Sequence, residues 1–446
     1  MEQKRPRQRH WAAPFFTIWI GQQFSLIGSM VAQFGLVWWL TSTTGSATVL
    51  ATATLAAVLP MVILGPFVGA LIDRWNRRLV MIVADGFVAL AAAGLVVLFW
   101  TGTMRIWHIY LVMLLRSIGG GFHWPAMQAS TSLMVPERHL ARVQGANQTV
   151  HGALNIVAPP LGALLLAFLP LYGVIAIDVF TALLAIVPLL FVHVPQPVTR
   201  SGEPAAPGRP SLWKEAGEGL RFIRGWPGVM GLLIMATAIN FLLNPAFSLL
   251  PILVSKHFGG RALHLGWMES AWGFGVVSGG LVLSVWGGFR RRILTTLTGL
   301  AGMGAGTLLI GLSPSSAFAL ALVAMFVTGF MNPITNGPVI ALTQSIVPSE
   351  VQGRVFTVIQ SITAGMSPLG LAAAGPVADA LGVRTWYLAG GVVCLVMALA
   401  ALCMPSIMHM EDYRATDRTA EKAEPAGSSP ADPAARRARP RDAAAV

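Results

Sequence analysis

Residues 65–78 read GPFVGALIDRWNRR, a stretch that ends one apolar run and opens the next. Within it, Gly69 permits a neighbouring helix to approach closely. Asp73 can pair with Arg77 or Arg78, and the stretch holds three basic residues: Arg74, Arg77 and Arg78. Because Lys and Arg mark the cytoplasmic ends of membrane helices, this turn predicts two membrane-spanning helices that meet at the inner membrane surface.

Composition extends this interpretation to the whole chain. Of 446 residues, 55% are hydrophobic and 11% are charged, with a mean hydropathy of +0.67. Soluble domains carry about 25% charged residues, so most soluble enzymes and binding domains are excluded. The two cysteines, Cys394 and Cys403, form no C-x-x-C pair and indicate neither a disulfide framework nor a metal site.

The apolar stretches predict twelve membrane spans, since one span needs about 20 apolar residues. The predicted spans cover residues 15–40, 48–72, 79–100, 106–127, 143–168, 172–192, 228–252, 265–287, 293–313, 317–340, 355–378 and 384–405.

The connections between these spans differ sharply in basic residues. One side carries 25 Lys and Arg and the other side four. By the positive-inside rule, both termini lie in the cytoplasm and the chain crosses the cytoplasmic (inner) membrane many times. The net charge of +12 is therefore interpreted as the basic residues that orient the chain in a lipid bilayer. It does not indicate a nucleic-acid partner.

The longest internal connection divides the spans into two sets of six. The predicted domains are an N-terminal six-helix bundle, a cytoplasmic linker with an amphipathic helix, a C-terminal six-helix bundle and a disordered cytoplasmic tail: 1–192, 193–227, 228–405 and 406–446.

An internal repeat supports two related halves. Positions 135–143 read VPERHLARV and positions 347–355 read VPSEVQGRV, each between the fourth and fifth spans of its half. Chance similarity of polar helix starts is the alternative. Parallel repeats of this kind are typical of a large class of transporters.

Large polar side chains concentrate in the first, fourth, seventh and tenth spans. Such groups are costly in a bilayer and usually face a bundle interior or an aqueous cavity. A central cavity lined by these four helices is therefore predicted, with these candidate residues: Gln22, Gln33, His123, Asn240, Asn244, Asn332 and Asn336.

The stretch at 65–78 resembles the signature loop of the major facilitator superfamily, G-x-L-x-D-R-x-G-R-R, with Asn76 in place of a glycine. Its DRWNRR form is similar to the same loop in the branch of the family that contains macrolide, drug and siderophore exporters. The resemblance implies a gating loop that latches two helical halves in the outward-open state, formed by Gly69, Asp73, Arg74, Arg77 and Arg78.

The fifth span, HGALNIVAPPLGA at 151–163, is similar to the family's antiporter motif at Gly152, Pro159 and Gly162, although Ala158 and Ala163 replace glycines. In the family this motif marks drug/proton exchangers. LLRSIGGG at 114–121 resembles another family motif and holds Arg116 within the membrane.

Few acidic residues lie within the spans, and each is a candidate for proton coupling together with Arg116: Asp85, Asp178 and Glu269. A buried carboxyl could load and release protons. For Arg116 the alternative is a structural salt bridge, and for each carboxyl it is a role as a helix-terminus or interhelical hydrogen-bonding group. Asp379 lies at the outer end of the eleventh span.

The sequence holds no G-x-x-x-x-G-K-[ST] loop, so the proton gradient is the predicted energy source, with no cofactor and no enzymatic activity. We predict an all-α protein of twelve transmembrane helices that works as a monomer and exports a bulky amphipathic compound, such as a macrolide or another drug. Export of a siderophore or another endogenous metabolite is the alternative. A nutrient importer is less consistent with the Pro-rich fifth span, and a non-transporting receptor or scaffold is less consistent with the intramembrane charges.

Overall fold

The computed structural model describes residues 11–72, 75–196, 212–347 and 349–410, and all regular structure in these ranges is helical. The N-terminal half contains α1 (Ala12–Thr44), α2 (Ala47–Ile72), α3 (Arg77–Trp100), α4 (Ile106–Met134), α5 (Glu137–Phe168) and α6 (Leu171–Phe191). A short helix, α7 (Leu212–Gly225), precedes the second half.

The C-terminal half begins with α8 (Pro227–Ser248), which continues through the short α9 (Leu250–Ile252) into a π-helical turn (Leu253–His257). It then contains α10 (Ala262–Trp286), α11 (Arg292–Leu312), α12 (Phe318–Ile346), α13 (Ser349–Leu381), α14 (Arg384–Cys403) and α15 (Pro405–Met408).

Twelve helices in the described part of the chain have 20 residues or more, which confirms the predicted all-α, twelve-helix fold. Eleven of them are long and apolar enough to cross a membrane. The exception is α4, whose polar side chains include Arg116 and His123. The chain is therefore a multi-pass membrane protein, and the one long described helix without a sufficiently apolar segment carries candidate site residues.

Several helices extend beyond the predicted spans at their polar ends. Helix α5 begins at Glu137 where the sequence predicts 143, and α13 begins at Ser349 where it predicts 355. Hydropathy locates the membrane-embedded part of a helix, whereas the backbone hydrogen bonds continue into water. The first residues of α5 and α13 are 212 apart, so both copies of the repeat begin the same helix of their half.

Two faces of the helical bundle are distinguished below. The terminal face is where α1, α3, α5, α8 and α13 begin, and the opposite face is where α2, α4, α6 and α10 begin. At the opposite face the two halves are in contact chiefly through two helix pairs, α2 with α13 and α5 with α10, with smaller contacts of α1 with α9 and of α2 with α8.

The contact between α2 and α13 includes a helix cap that crosses the two halves. The Asp379 carboxylate, near the end of α13, accepts hydrogen bonds from Ser46 Oγ (2.9 Å), Ala47 N (2.8 Å) and Thr48 N (3.0 Å) at the start of α2. Unpaired N–H groups and the helix dipole make a helix N-terminus favourable for a carboxylate. Asp379 therefore joins the halves at the opposite face.

The contact between α5 and α10 depends on the consecutive prolines of α5. Pro160 cannot donate to the carbonyl four residues earlier, which leaves Ile156 O without its helical partner. Ser270 Oγ of α10 donates to that oxygen at 2.6 Å. A Cβ placed on Gly266 would lie 3.0 Å from Pro160 Cα, so the two backbones approach closely here.

The halves separate toward the terminal face. A Cβ added at Gly69 in α2, Gly145 in α5 or Gly353 in α13 would have no described atom within 4 Å. The close helix approach that the sequence predicts at Gly69 is therefore absent in this conformation. The structure is closed at the opposite face and open at the terminal face.

Some predictions fall on residues outside the described ranges. These are the tail from residue 411, the linker at 197–211, and the signature-loop residues Asp73 and Arg74. The remainder of the predicted linker contains α7, whose Ile223 packs in a cluster with Val355 of α13 and Ile407.

Candidate functional site

The N-terminal half encloses a cavity of about 310 Å³, called here the main cavity. Helices α1, α3, α4, α5 and α6 contribute to its wall. Four of the candidate residues line it together: Gln22, Asp85, Arg116 and His123. The wall continues to Thr131 and Asn147, near the terminal face.

The deeper part of the main cavity contains an ion pair, called here the arginine layer. Arg116 of α4 forms a salt bridge with Asp178 of α6, whose side chain is 2% exposed. The other carboxylate oxygen of Asp178 accepts from Ser29 Oγ at 2.8 Å, and Arg116 also donates to Ser29 O at 3.2 Å. Because each charge is paired and hydrogen-bonded, both ions can remain inside the membrane.

A second polar group, the histidine layer, lies nearer the terminal face. Gln22 of α1 donates to Asp85 Oδ2 of α3 at 3.0 Å. His123 Nε2 of α4 lies 3.4 Å from Asp85 Oδ1 and forms no hydrogen bond there. The partners of this carboxylate are thus a neutral amide and an imidazole that is charged only when protonated.

The two layers have matching helical spacing. Gln22 and Ser29 are seven residues apart on α1, and Arg116 and His123 are seven residues apart on α4. Seven residues make two turns, so the layers are about 10 Å apart along the helices. The same faces of α1 and α4 therefore carry both layers.

A second cavity of about 390 Å³ lies between the halves. Arg116 and Ser29 line both this cavity and the main cavity. Gln33, Pro159 and Glu269 also line the second cavity. Glu269, on α10, is half-buried and has no hydrogen bond or ion pair with any described residue. An unpaired carboxyl and a paired arginine thus face one space.

The four candidate asparagines of the C-terminal half are not among the residues that line these two cavities. Asn244 Nδ2 donates to Asn240 Oδ1 at 2.8 Å on α8, and Asn336 Nδ2 donates to Asn332 O at 3.1 Å on α12. Spacing of four residues places each donor next to an acceptor of its own helix, a side-chain oxygen for Asn244 and a backbone carbonyl for Asn336.

The two described arginines of the signature loop, Arg77 and Arg78, bind helices of their own half. Arg77 Nη1 donates to Ala129 O of α4 at 2.8 Å, and Arg78 Nε donates to Leu189 O of α6 at 2.5 Å. Asn76, where the family has glycine, caps α3 by accepting from Arg78 N at 3.1 Å. Arg77 and Arg78, at the start of α3, therefore connect it by hydrogen bonds to the C-terminal parts of α4 and α6.

The antiporter-like residues of α5 face different neighbours. A Cβ on Gly162 would lie 2.9 Å from the Phe34 ring of α1, so this glycine allows close packing within the half. Pro159 lines the second cavity, and Gly152 is at ordinary contact distance from Val277 of α10. The segment thus lies at the junction of both halves.

Several lining residues were not among the candidates from sequence: Trp19, Gln23, Ser29, Trp124, Asn147 and His151. Ser29 could have been found by its seven-residue spacing from Gln22. The rings of Trp124 and His151 meet edge to face at 5.2 Å, and Trp19 Nε1 donates to Asn147 Oδ1 at 2.5 Å. The first contact joins the consecutive helices α4 and α5, and the second joins α5 to α1, which is distant in sequence.

The combined arrangement suits reversible binding better than bond-making chemistry. The cavity wall is mainly apolar and aromatic, with a few convergent polar groups, as in sites for amphipathic ligands. Paired intramembrane charges next to such a space are typical of substrate or proton pathways.

Comparison with known proteins agrees with this architecture. The family model described as Major Facilitator Superfamily matches residues 18–371 and again residues 241–439. Among solved structures, the nucleoside transporter NupG superposes with a TM-score of 0.64 at 12% identity, covering 89% of this chain and 99% of that one. A bacterial homologue of the iron transporter ferroportin, in an inward-facing state, has a TM-score of 0.63 at 15% identity, covering 87% and 98%.

Curated relatives are more similar in sequence. Macrolide efflux protein A of Streptococcus pyogenes is 34% identical over 397 residues, covering 89% of this chain and 96% of the relative. The multidrug efflux pump Tap of Mycolicibacterium fortuitum is 29% identical over 398 residues, covering 86% and 94%. The chain therefore belongs to the Major Facilitator Superfamily, in the branch that contains these drug-efflux proteins.

Proposed function

We propose that this chain exports a bulky amphipathic compound, of the macrolide or multidrug type, in exchange for protons by alternating access. The names of its relatives support the cargo class. The observation that carries the proposal is the arginine layer, a buried and fully paired charge network on the wall of a cavity open at one face. The excess of basic residues at the terminal face supports a cytoplasmic position for that face and both termini in the inner membrane.

Coupling would begin at the Arg116–Asp178 pair. A proton that binds the Asp178 carboxylate removes its charge and weakens its hold on Arg116. Arg116 and Glu269 line the same second cavity, and Glu269 has no partner among the described residues. The released guanidinium would move toward Glu269, across the boundary between the halves, and so link proton binding to their relative movement.

The histidine layer would serve the cargo at the cytoplasmic side of the cavity. Asp85 and His123 lie two turns away from the arginine layer, so cargo and proton need not share one group. When the terminal face closes and the opposite face opens, contacts of the signature loop with the other half would replace the contact between α2 and α13. The chain would act as a monomer, since one half already encloses the main cavity.

Energised inside-out vesicles test the proposal. A panel of macrolides, unrelated drugs and siderophores is added, and proton release is followed with a pH-sensitive dye. At least one compound should release protons and accumulate in a gradient-dependent manner. A response to siderophores alone would replace the drug cargo with an endogenous metabolite. The exchanger hypothesis would be rejected if no compound released protons or accumulated.

The Asp178→Asn variant then tests the coupling step. It should lose gradient-driven accumulation and retain downhill exchange of labelled cargo, because asparagine keeps the shape of the side chain without a titratable group. Ser278→Ala removes a hydroxyl that bonds its own helix and lines neither cavity, so this variant is the control and should retain accumulation. Unchanged accumulation by Asp178→Asn would exclude this carboxyl from coupling.

A further inference from the structure

The main cavity contains one carboxylate that no permanently charged side chain balances. Asp85 contacts Gln22 and His123, and its side chain is 12% exposed. Arg116 is the only Lys or Arg among the described residues lining this cavity, and Asp178 already pairs with it. An ionised carboxylate inside a membrane requires a compensating positive charge or a proton.

The same cavity also contains an unused hydrogen-bond acceptor. Gln23 lines the cavity beside Gln22, and its Oε1 atom is buried without a hydrogen-bond partner among the described residues. An amide oxygen without a donor is costly when it is buried. Two buried atoms of this space have no hydrogen-bond partner among the described residues: Gln23 Oε1 and His123 Nε2. Gln23 Oε1 and the Asp85 carboxylate are acceptors, and His123 Nε2 is a third when it carries no proton, which favours a ligand that donates N–H groups.

Aromatic side chains surround these acceptors. Trp19 and Trp124 both line the cavity, and Trp124 is 45% exposed. The Trp19 indole N–H is already occupied by Asn147, so Trp19 offers its ring surface. Tryptophan rings attract cations through their faces and pack well against alkyl groups.

We propose that the main cavity binds a protonated amine of the cargo, whose N–H groups donate to Asp85 and Gln23 while its alkyl groups lie against Trp19 and Trp124. This inference rests on the proposed function and specifies the cargo as a lipophilic amine. It also distinguishes Asp85, as a ligand for the cargo, from Asp178, which holds Arg116.

Equilibrium binding to the purified full chain in lipid nanodiscs tests this assignment. The probe pair is a macrolide with one secondary alkylamino group, whose protonated form carries two N–H bonds, and its derivative in which that nitrogen is a neutral tertiary amide. Competition against a labelled macrolide should give at least tenfold tighter binding of the charged compound, as expected for a charge-assisted hydrogen bond.

Asp85→Asn should weaken binding of the charged compound at least tenfold and change binding of the neutral derivative by less than about twofold. Asp379→Asn, the same substitution outside the cavity, should retain the ratio of the two affinities. Gln23→Leu should weaken the charged compound alone. Gel filtration and thermal unfolding check that each variant is folded.

Equal affinity of the wild-type chain for both compounds would overturn the assignment, even if a variant did not fold. Retention of the wild-type ratio by folded Asp85→Asn would also overturn it. A wild-type ratio near tenfold, lost in Asp85→Asn, with no transport of either compound in energised vesicles, would support the amine site and contradict the export function.

Discussion

Removal of the Asp379 carboxylate should weaken the closure of the opposite face. This side chain accepts three hydrogen bonds from the first turn of α2, and it belongs to the other half of the molecule. Replacing an N-cap side chain with alanine costs about 0.5–2 kcal/mol. The cap can form only while α2 and α13 are in contact, so Asp379→Ala should shift the closed-to-open ratio by about 2- to 30-fold, given a tenfold change per 1.4 kcal/mol.

Spin labels on exposed loops of the two halves would measure this shift. Cysteines at Thr103 and Ser316, in a chain whose native Cys394 and Cys403 are replaced by alanine, report the separation across the opposite face. Asp379→Ala should increase the long-distance population. Asp379→Asn should have a smaller effect, since asparagine remains a good cap and loses only the charge.

The control for this experiment is a label pair within the N-terminal half, whose separation should not change. An unchanged distance distribution in folded Asp379→Ala would refute the reasoning, because the cap would then contribute nothing to closure. Increased opening in Asp379→Ala with equal opening in Asp379→Asn would assign the effect to the charge alone.

Three further groups of variants test the local energetics. Arg116→Met alone should reduce folded yield, as loss of one partner of a buried ion pair costs about 3–5 kcal/mol. Arg116→Met with Asp178→Leu should recover yield without recovering transport, and recovery of both would make the pair purely structural. Ser270→Ala should lower the unfolding temperature by leaving a proline-freed carbonyl of α5 unsatisfied, while Ser278→Ala, whose hydroxyl bonds its own helix, should not. Asn76→Ala should cost about 1 kcal/mol in thermal unfolding and Asn76→Gly only a few tenths, and equal losses would contradict the cap.

Much of the fold follows from local sequence because the membrane restricts the possibilities. A span of about 20 apolar residues must form a helix, since backbone groups in the bilayer have no water to bind. Arg77, Arg78 and the other basic residues therefore define the turns, and the 135–143 repeat identifies the start of α5 and α13. Helix ends such as Glu137 were missed, because hydropathy does not detect helix beyond the bilayer.

The candidate site was predictable only in part. Intramembrane charge alone singled out Asp85, Arg116 and Asp178, since each is too costly to place in a bilayer without a purpose. The pairing of Arg116 with Asp178, and of Gln22 with Asp85, depends on which helices are neighbours. The asparagines of α8 and α12 were chosen by the same polarity rule, yet their bonds are made within their own helices.

That the chain is an all-α membrane protein of twelve long helices follows from hydropathy alone, because bilayer energetics act on each segment separately. Tertiary structure decided which charges meet, that Asp379 caps a helix of the other half, and that the molecule is open at the terminal face. These properties depend on contacts between residues more than 60 positions apart, such as Arg116 and Asp178. No local pattern encodes such contacts, since polar groups in a bilayer can be satisfied by whichever helix packs beside them.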